Sequence, residues 1–527
     1  MEKADYVIVG GGTAGCVLAR RLSEIPAKRV ILVEAGEEAR SWRYRIPAGT
    51  MKLIGDKQTD WLYPSEPDAT LMGRRPLCPA GRMLGGSSRM NGMVYVRGTR
   101  GDYDGWAQSA PGWSFDELLP YFRRAENFAG DGDSVHGKAG PWQISHGRAR
   151  HPLSDAFLSA GEELGIAHLP DYCDGNQDGA FHVWSMISEA GLRSDTASAF
   201  LSPVRQRPNL RIVTGRPVRR ILFDGRRAIG IELAGQDGDR QILAGEVIVS
   251  AGAYGSPALL MRSGVGPAAD VVQAGIPLVQ DSPAMGQHLK DHLGAGVSKL
   301  VNVPTYNAPL GPLQYLRYGL DYALRRRGPI ATSVVQAMLY GRSTPELRQP
   351  DFMLSFLPLC VNYRRSPPAL HEKPGIHLGA NICRPASEGR VTLNPVDPLG
   401  LPRIEHALLS DPHDIEVLIA ALKFAQALFE TPALARFVDA PCNPPAMPAS
   451  DDEWRAFARE TAGPSYHPVG TCRMGTGEDA PVDPMLRVKG CDGLRVADAS
   501  VMPGLTSGNT VAPVVAIAEK AADLIQD

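Results

Sequence analysis

The six residues Gly10-Gly11-Gly12-Thr13-Ala14-Gly15 constrain this chain more than any other stretch. They follow Tyr6 to Val9, a short apolar run of strand type. They open a segment in which Ala14, Val17, Leu18 and Leu22 recur at helical spacing until Pro26. A second apolar run, Arg29 to Val33, ends in Glu34, 24 residues after Gly10. Strand, GxGxxG, helix, strand and acid in that order predict a βαβ unit built around a dinucleotide. Each part has a physical task. Gly10 permits the tight turn, Gly12 lets the backbone approach a pyrophosphate, and Gly15 lets helix and strand pack closely. The helix N-terminus supplies amide donors and the positive end of a dipole. Glu34 can accept hydrogen bonds from a ribose 2′-hydroxyl, whereas a 2′-phosphate would be repelled. The motif admits FAD and NAD alike.

Composition narrows the class further. At 527 residues the chain can hold two to four folding units of ~150 residues. Its 55 basic and 57 acidic residues give a net charge of −2, without the basic surplus of a nucleic-acid binder. Eight cysteines (Cys16, Cys78, Cys173, Cys360, Cys383, Cys442, Cys472, Cys491) include no CxxC pair, which predicts free thiols in a reducing compartment and no metal site. The opening MEKADYVIVGGG lacks a basic leader region, and no apolar run approaches the ~18 residues of a membrane span. A soluble, cytoplasmic protein is the expectation. Glycine is in excess, with 56 residues amounting to about 11% against ~7% in average chains. Such a chain has several places where the backbone turns sharply or is approached closely.

Those places can be located. Gly81-Arg82-Met83-Leu84-Gly85-Gly86-Ser87-Ser88-Arg89-Met90-Asn91-Gly92-Met93 exposes amides and hydroxyls suited to an anion or a planar ring, or simply to a turn. A strand pattern over Glu246 to Ser250 leads into Ala251-Gly252-Ala253-Tyr254-Gly255-Ser256-Pro257, with a helix expected over Ala258 to Arg262. Gly493 to Ser500 reads as a strand ending in a small-residue turn. Val514, Ile517, Ala518, Ala521 and Leu524 mark a closing amphipathic helix with Pro513 in its first turn.

Six motifs in one order resemble the glucose–methanol–choline (GMC) oxidoreductases, a flavoprotein family. They are GGGTAG, GRMLGGSSRMNGMVYVRG, SAGAYGSPALLMRSGVGP, MGQHLKDH, SYHPVGTCRMG and GLRVADASVMP followed by SGNT. The resemblance runs from residue 6 to 524. It implies an α/β fold, with a discontinuous Rossmann-like FAD-binding domain (1–150, 200–300 and 460–527) and a substrate domain carrying an antiparallel sheet (151–199 and 300–459) over the flavin. It implies that Gly10, Gly12, Thr13, Ala14 and Gly15, with Glu34 and Ala35, hold the ADP half of FAD. Val218 would present its backbone to the adenine. Gly81, Gly86, Asn91, Gly92, Met93 and Val94 would lie along the pyrophosphate and the flavin ring, and Asp498, Ala499, Asn509 and Thr510 along the ribityl chain and the ring. Some relatives link a histidine of the GG[SC]S loop to the flavin; here Arg89 and Met90 stand in that region with no histidine from Gly81 to Tyr95, so the FAD is expected to be non-covalent.

The resemblance also implies that the chemistry lies at His467 and Asn509, 42 residues apart. Oxidising an alcohol removes a hydride from carbon and a proton from oxygen. The flavin N5 takes the hydride. Histidine, with an ordinary pKa of ~6.5, can take the proton, and an amide such as Asn509 can hold the oxygen. Asparagine at this position resembles the choline- and sorbose-oxidising branch. Taken alone, His467 would read as structural and Asn509 as a turn or helix-cap residue. His292, in LKDH, matches the family pattern but reads as a support of the fold, and His288, His371, His377 and His406 sit in no motif. No GxSxG elbow exists, which excludes a serine-hydrolase reading.

The expected function is therefore the oxidation of a small alcohol, with oxygen or a quinone- or dye-type acceptor reoxidising the flavin. The alternatives are a redox-inactive lyase that cleaves cyanohydrins on the same scaffold and, from the first motif alone, an NAD-dependent dehydrogenase. Within 300–459, Tyr306, Tyr315, Tyr318, Phe352, Phe356 and Tyr363 are candidates either to line a substrate pocket or to pack a core. Asp411 to Phe429 reads as an amphipathic surface helix presenting Ile415, Leu418, Ala421, Leu422, Ala425 and Leu428.

Overall fold

Runs that are apolar on both faces need cover on both faces, and the first sheet is built from them. Val7, Ile8, Val30, Ile31, Leu32, Val247, Ile248 and Val249 are fully buried. A computed structural model describes residues 2–526 apart from 40, 133, 235–239, 309–310 and 363–368. Its first sheet has the order Leu210–Val213, Val30–Val33, Glu2–Val9, Arg240–Val249, Arg227–Leu233, Val218–Asp224, with Leu494–Val496 paired to the end of Arg240–Val249. Pairing is parallel from Leu210–Val213 through Arg240–Val249, and Leu494–Val496 also runs parallel. Val9, Val33, Val249 and Val496 end in register, so four strands deliver their loops to one edge. That edge, at the carboxyl ends of parallel strands, is where such sheets bind ligands.

Helix Thr13–Leu22 follows the first strand and Val511–Gln526 packs against it, with Pro513 inside the first turn of the latter. The helix expected over Ala258 to Arg262 is longer, Gly252–Met261. Pro257 therefore sits inside it and cannot donate to the carbonyl of Ala253. The hydroxyl of Thr471 donates there instead, at 2.6 Å. The helix runs through its proline because another segment supplies the missing donor.

The second sheet is antiparallel, in the order Val438–Asn443, Leu293–Val301, Gly375–Ile382, Phe352–Leu357, Ala337–Gly341, Ala180–His182, with Gly463–Pro464 added at one end of Leu293–Val301. Leu293–Val301 runs through the expected boundary at 300, and Gly463–Pro464 joins this sheet from beyond the one at 460. Helices Pro412–Glu430 and Pro152–Glu163 cover one face, and the six apolar residues expected along Asp411 to Phe429 are all buried there. Alternation decides the aromatic candidates. Phe352, Leu354 and Phe356 point into that helix layer, whereas Met353 and Ser355 face the opposite side and line the main cavity. Phe352 and Phe356 are thus core residues. Tyr306 packs edge-on to His151, Tyr315 is exposed, Tyr318 is half-exposed, and none of the three lines the main cavity; Tyr363 lies outside the described residues. Among the described residues no helix is long and apolar enough to cross a membrane.

Candidate active site

Between the two sheets lies a cavity of about 500 Å³. Gly10, Gly12, Thr13, Ala14, Glu34, Ala35, Gly81, Gly86, Asn91, Gly92, Met93, Val94, Val218, Asp498, Ala499, Asn509 and Thr510 all line it, and so does His467. Gly15 does not reach the wall. A Cβ at Gly15 would strike the Gly10 carbonyl, so this glycine serves helix-to-strand packing.

The cavity fits an adenine dinucleotide. A Cβ at Gly12, Gly92 or Gly252 would meet no protein atom within 4 Å, so these glycines keep clear the space a cofactor needs. Gly12 caps helix Thr13–Leu22 without a side chain, and the first turn holds no acid, which leaves the helix amides to a phosphate. Glu34 accepts from the amides of Gly11 and Gly36 at 2.8 and 2.7 Å, and burial raises its pKa despite both bonds. Each oxygen retains a lone pair for a ribose hydroxyl. The Val218 carbonyl accepts from Arg262 at 2.9 Å. Asp498 is fully engaged: it accepts from Gly252 N, Ser256 Oγ, Ser500 N and Ser500 Oγ, clamping two loops while Ala499 forms the wall. Met93 holds a left-handed conformation, as does Tyr466, the residue before His467; strained backbone of this kind gathers at working sites.

Two residues outside the motif reading organise the loop at 85–92. Buried Arg193 donates to the carbonyls of Ser88 and Asn91 and to Asn91 Oδ1, and Arg89 turns away from the cavity to pair with Asp195 at 2.9 Å. Neither Arg193 nor Asp195, in Leu192-Arg193-Ser194-Asp195-Thr196, belongs to a motif that marks it in the sequence.

At the far end of the cavity three side chains form one line. His467 Nε2 meets Asn509 Nδ2 at 2.9 Å, and His467 Nδ1 meets His292 Nδ1 at 3.0 Å. His292 Nε2 lies 3.1 Å from the Cys383 carbonyl. A carbonyl only accepts, so His292 carries its hydrogen on Nε2 and offers the Nδ1 lone pair. His467 must then donate from Nδ1, which leaves its Nε2 as a lone pair facing the cavity and the Asn509 amide. The line has one direction. Burial, followed by the neighbouring His292, pushes the His467 pKa well below its ordinary value; burial lowers that of His292 to about 4. Both rings are neutral at working pH, and the N-terminal end of Val511–Gln526 beside Asn509 favours negative charge in the cavity.

The backbone explains how His292 reaches His467. Residues 463–469 run antiparallel to 290–294, with Ser465 N donating to His292 O at 2.8 Å and Val469 pairing with Lys290. Asp291 Oδ1 accepts from His467 N at 2.8 Å. Its other oxygen is buried without a partner, and burial raises its pKa to about 8. LKDH and SYHPVG are separate in the sequence but form one ladder in the fold.

Comparison with known proteins agrees with this geometry. Residues 4–294 and 385–518 match the N- and C-terminal family models described as GMC oxidoreductase. The chain belongs to the GMC oxidoreductase family. It is 39% identical to human mitochondrial choline dehydrogenase, over 100% of this chain and 90% of that one. It is 38% identical to an acceptor-dependent alcohol dehydrogenase of Pseudomonas putida, over 99% and 95%. Its structure superimposes on pyridoxine 4-oxidase from Mesorbium loti with a TM-score of 0.89 at 35% identity, covering 99% and 98% of the two chains. GMC oxidoreductases are FAD flavoproteins, and this chain is an FAD-dependent alcohol oxidoreductase. The lyase alternative finds no support among these relatives.

One further group of possible metal ligands, His136, Asp171 and Cys173, does not suit a cation. His136 bridges Glu126 and Asp171 at 3.0 Å each, its pKa is raised by those bonds against the cost of burial, and the Arg97 guanidinium lies 3.2 Å away. Both ring nitrogens are committed to carboxylates, and the adjacent guanidinium repels a cation.

Buried neutral histidines predict a stability profile. Burial holds His292, His377 and His406 at about 4, against ~6.5 unfolded. Their contribution is complete above pH ~6.5 and is lost as pH falls toward ~4, by about 3 kcal/mol each. Asp291, raised to about 8, works in the opposite sense and gains stability as pH falls below about 8. Three groups outweigh one. Urea midpoints should therefore peak near pH ~6.5 and fall steeply by pH ~5, whereas a flat profile over that interval would mean these rings are not held neutral by burial.

Proposed function

We propose that this enzyme oxidises a small, uncharged alcohol, with His467 as the base and Asn509 as the group that holds the substrate oxygen. The hydrogen-bonded line from the Cys383 carbonyl to Asn509 carries this reading. The cradle formed by Gly10–Ala14, Glu34, Gly81–Val94 and Asp498–Ala499 would hold FAD, which when bound would supply the hydride acceptor. The Nε2 lone pair of His467 takes the hydroxyl proton. Asn509 Nδ2 donates to the oxygen as it becomes an alkoxide, a role suited to a neutral amide in a water-poor site. His292 acts as a positioning residue that fixes which nitrogen of His467 is free.

The substrate class follows from the walls near His467. Val334, Val335, Met353, Ser355 and Asn381, on or just before strands of the second sheet, and Tyr466, next to His467 in sequence, line the cavity, and none carries a charge. Glu34 and Asp498, the carboxylates on the lining, belong to the cofactor loops. A trimethylammonium group would need an acid among aromatics, so choline fits this end poorly even though choline dehydrogenases are among the relatives. The FAD is held without a covalent bond: along 81–95 the cavity wall presents Gly81, Gly86, Ser87, Ser88, Met90, Asn91, Gly92, Met93 and Val94, and none is a nucleophile of the kind that attaches flavins. The compartment is the cytoplasm, where the eight free thiols stay reduced.

The test is a panel of alcohols added anaerobically to the yellow protein. Neutral alcohols of a few carbons should bleach the flavin and choline should not; acid precipitation should release all the flavin into the supernatant. Bleaching by choline alone would overturn the substrate class, and flavin retained in the pellet would overturn the non-covalent reading.

A further inference from the structure

Helix Pro312–Arg325 carries its apolar stripe on the outside. Leu313, Leu316, Leu320 and Leu324 recur at i, i+3, i+7 and i+11, so at 3.6 residues per turn they fall within about 80° of arc. A helix packed on a core turns such a stripe inward. Here Tyr322, on the opposite side, is the buried residue, and its hydroxyl donates to the Gly191 carbonyl at 3.4 Å. The four leucines are 83, 58, 50 and 79% exposed in sequence order. Nearby, Trp42 is 72% exposed on a turn, Trp42–Tyr44; that turn packs on Pro47–Lys52, which packs on Pro329–Ala331 just beyond the helix.

The charge around the stripe is as uneven as its apolarity. A chain of net charge −2 places Arg317, Arg325, Arg326 and Arg327 here against Asp321. Arg327 also lines a shallow basin with His146, Arg148 and Arg150, where Glu189 is the one acid. Exposed leucines flanked by arginines, with an exposed tryptophan close by, are the features of a helix that lies in a membrane interface.

We propose that this surface seats the enzyme on an anionic lipid bilayer, with the leucine stripe in the headgroup–acyl boundary and the arginines on headgroup phosphates. A second copy of the chain is the poorer occupant, because a two-fold contact through this helix would bring two arginine clusters together. The chain continues from the helix through Pro329–Ala331 to Val334 and Val335 on the cavity wall. If the proposed reading of an uncharged alcohol is right, substrate can therefore arrive from the lipid phase.

The experiment is co-sedimentation of the FAD-loaded enzyme with vesicles of phosphatidylcholine alone, or with about 30% phosphatidylglycerol. The enzyme should sediment with the anionic vesicles and be released by high salt. A Leu316→Gln/Leu320→Gln/Leu324→Gln variant and an Arg325→Gln/Arg327→Gln variant should each lose about tenfold or more in vesicle affinity. Both should keep flavin absorbance and bleaching by alcohol in solution, so the outcome is independent of the substrate reading. Equal sedimentation of wild type and variants, or none with either vesicle, overturns the proposal. A dimer in solution that the leucine variant converts to monomer overturns it too, because a second copy then covers the stripe.

Discussion

His467→Ala should slow anaerobic flavin reduction by about 10²- to 10⁴-fold while leaving the protein yellow and folded. The ring is one contributor to the cavity wall among many, so its loss leaves the dinucleotide cradle at Gly10–Gly15 and Gly81–Val94 untouched. What disappears is the Nε2 lone pair, the acceptor that the line from Cys383 through His292 presents to the cavity. In the proposed scheme the hydroxyl proton then has no acceptor. The measurement is stopped-flow bleaching with the best alcohol of the panel. Reduction within about threefold of wild type would place the base elsewhere, because general-base contributions are far larger than that.

The second large effect is expected at a residue with no contact to substrate in this scheme. His292→Leu should lower the reduction rate by about 10²-fold. Leucine cannot accept from His467 Nδ1, so a ring that is now confined to the tautomer with Nε2 free can also adopt the tautomer with Nε2 protonated. The Nδ1–H is also left without a partner in a buried place, which favours that switch. His292→Asn, whose amide oxygen can accept, should recover part of the rate. The readout that separates positioning from folding is the pair of rates compared with thermal midpoint and FAD content. If asparagine and leucine slow the enzyme equally at equal stability, the direction of this hydrogen bond is not what matters. If leucine instead loses FAD, His292 supports the fold, as its sequence context suggested.

The contrast between His292 and the glycine loops explains which features were legible in the sequence. Gly10, Gly12 and Glu34 act within one βαβ unit of about thirty residues, whose turn geometry and periodicity are local properties. The same holds for the closing helix and for the apolar residues of Asp411 to Phe429. Phe352 and Phe356 were ambiguous because a strand presents two faces, and only the helices packed on one of them decide which is core. The extent of Gly252–Met261 was illegible for a similar reason: Pro257 signals a break, and the hydroxyl that removes the cost belongs to Thr471, more than 200 residues away.

The resemblance of six ordered motifs implied the antiparallel sheet and the roles of His467 and Asn509, whereas the residues by themselves determined a dinucleotide cradle, its βαβ unit and the closing helix. These rest on short-range requirements: positive φ at a turn, close approach of backbone, and alternation or helical period of apolar side chains. Only the tertiary structure decided the rest. It brought His292 onto His467 by pairing residues 290–294 with 463–469, and set Asn509 on the other side through the start of the last helix. It also left the leucines of Pro312–Arg325 facing outward, where the same spacing would ordinarily mark a core. Which nitrogen is free and which face is wet depend on partners that lie far away in the chain, and no local pattern encodes them.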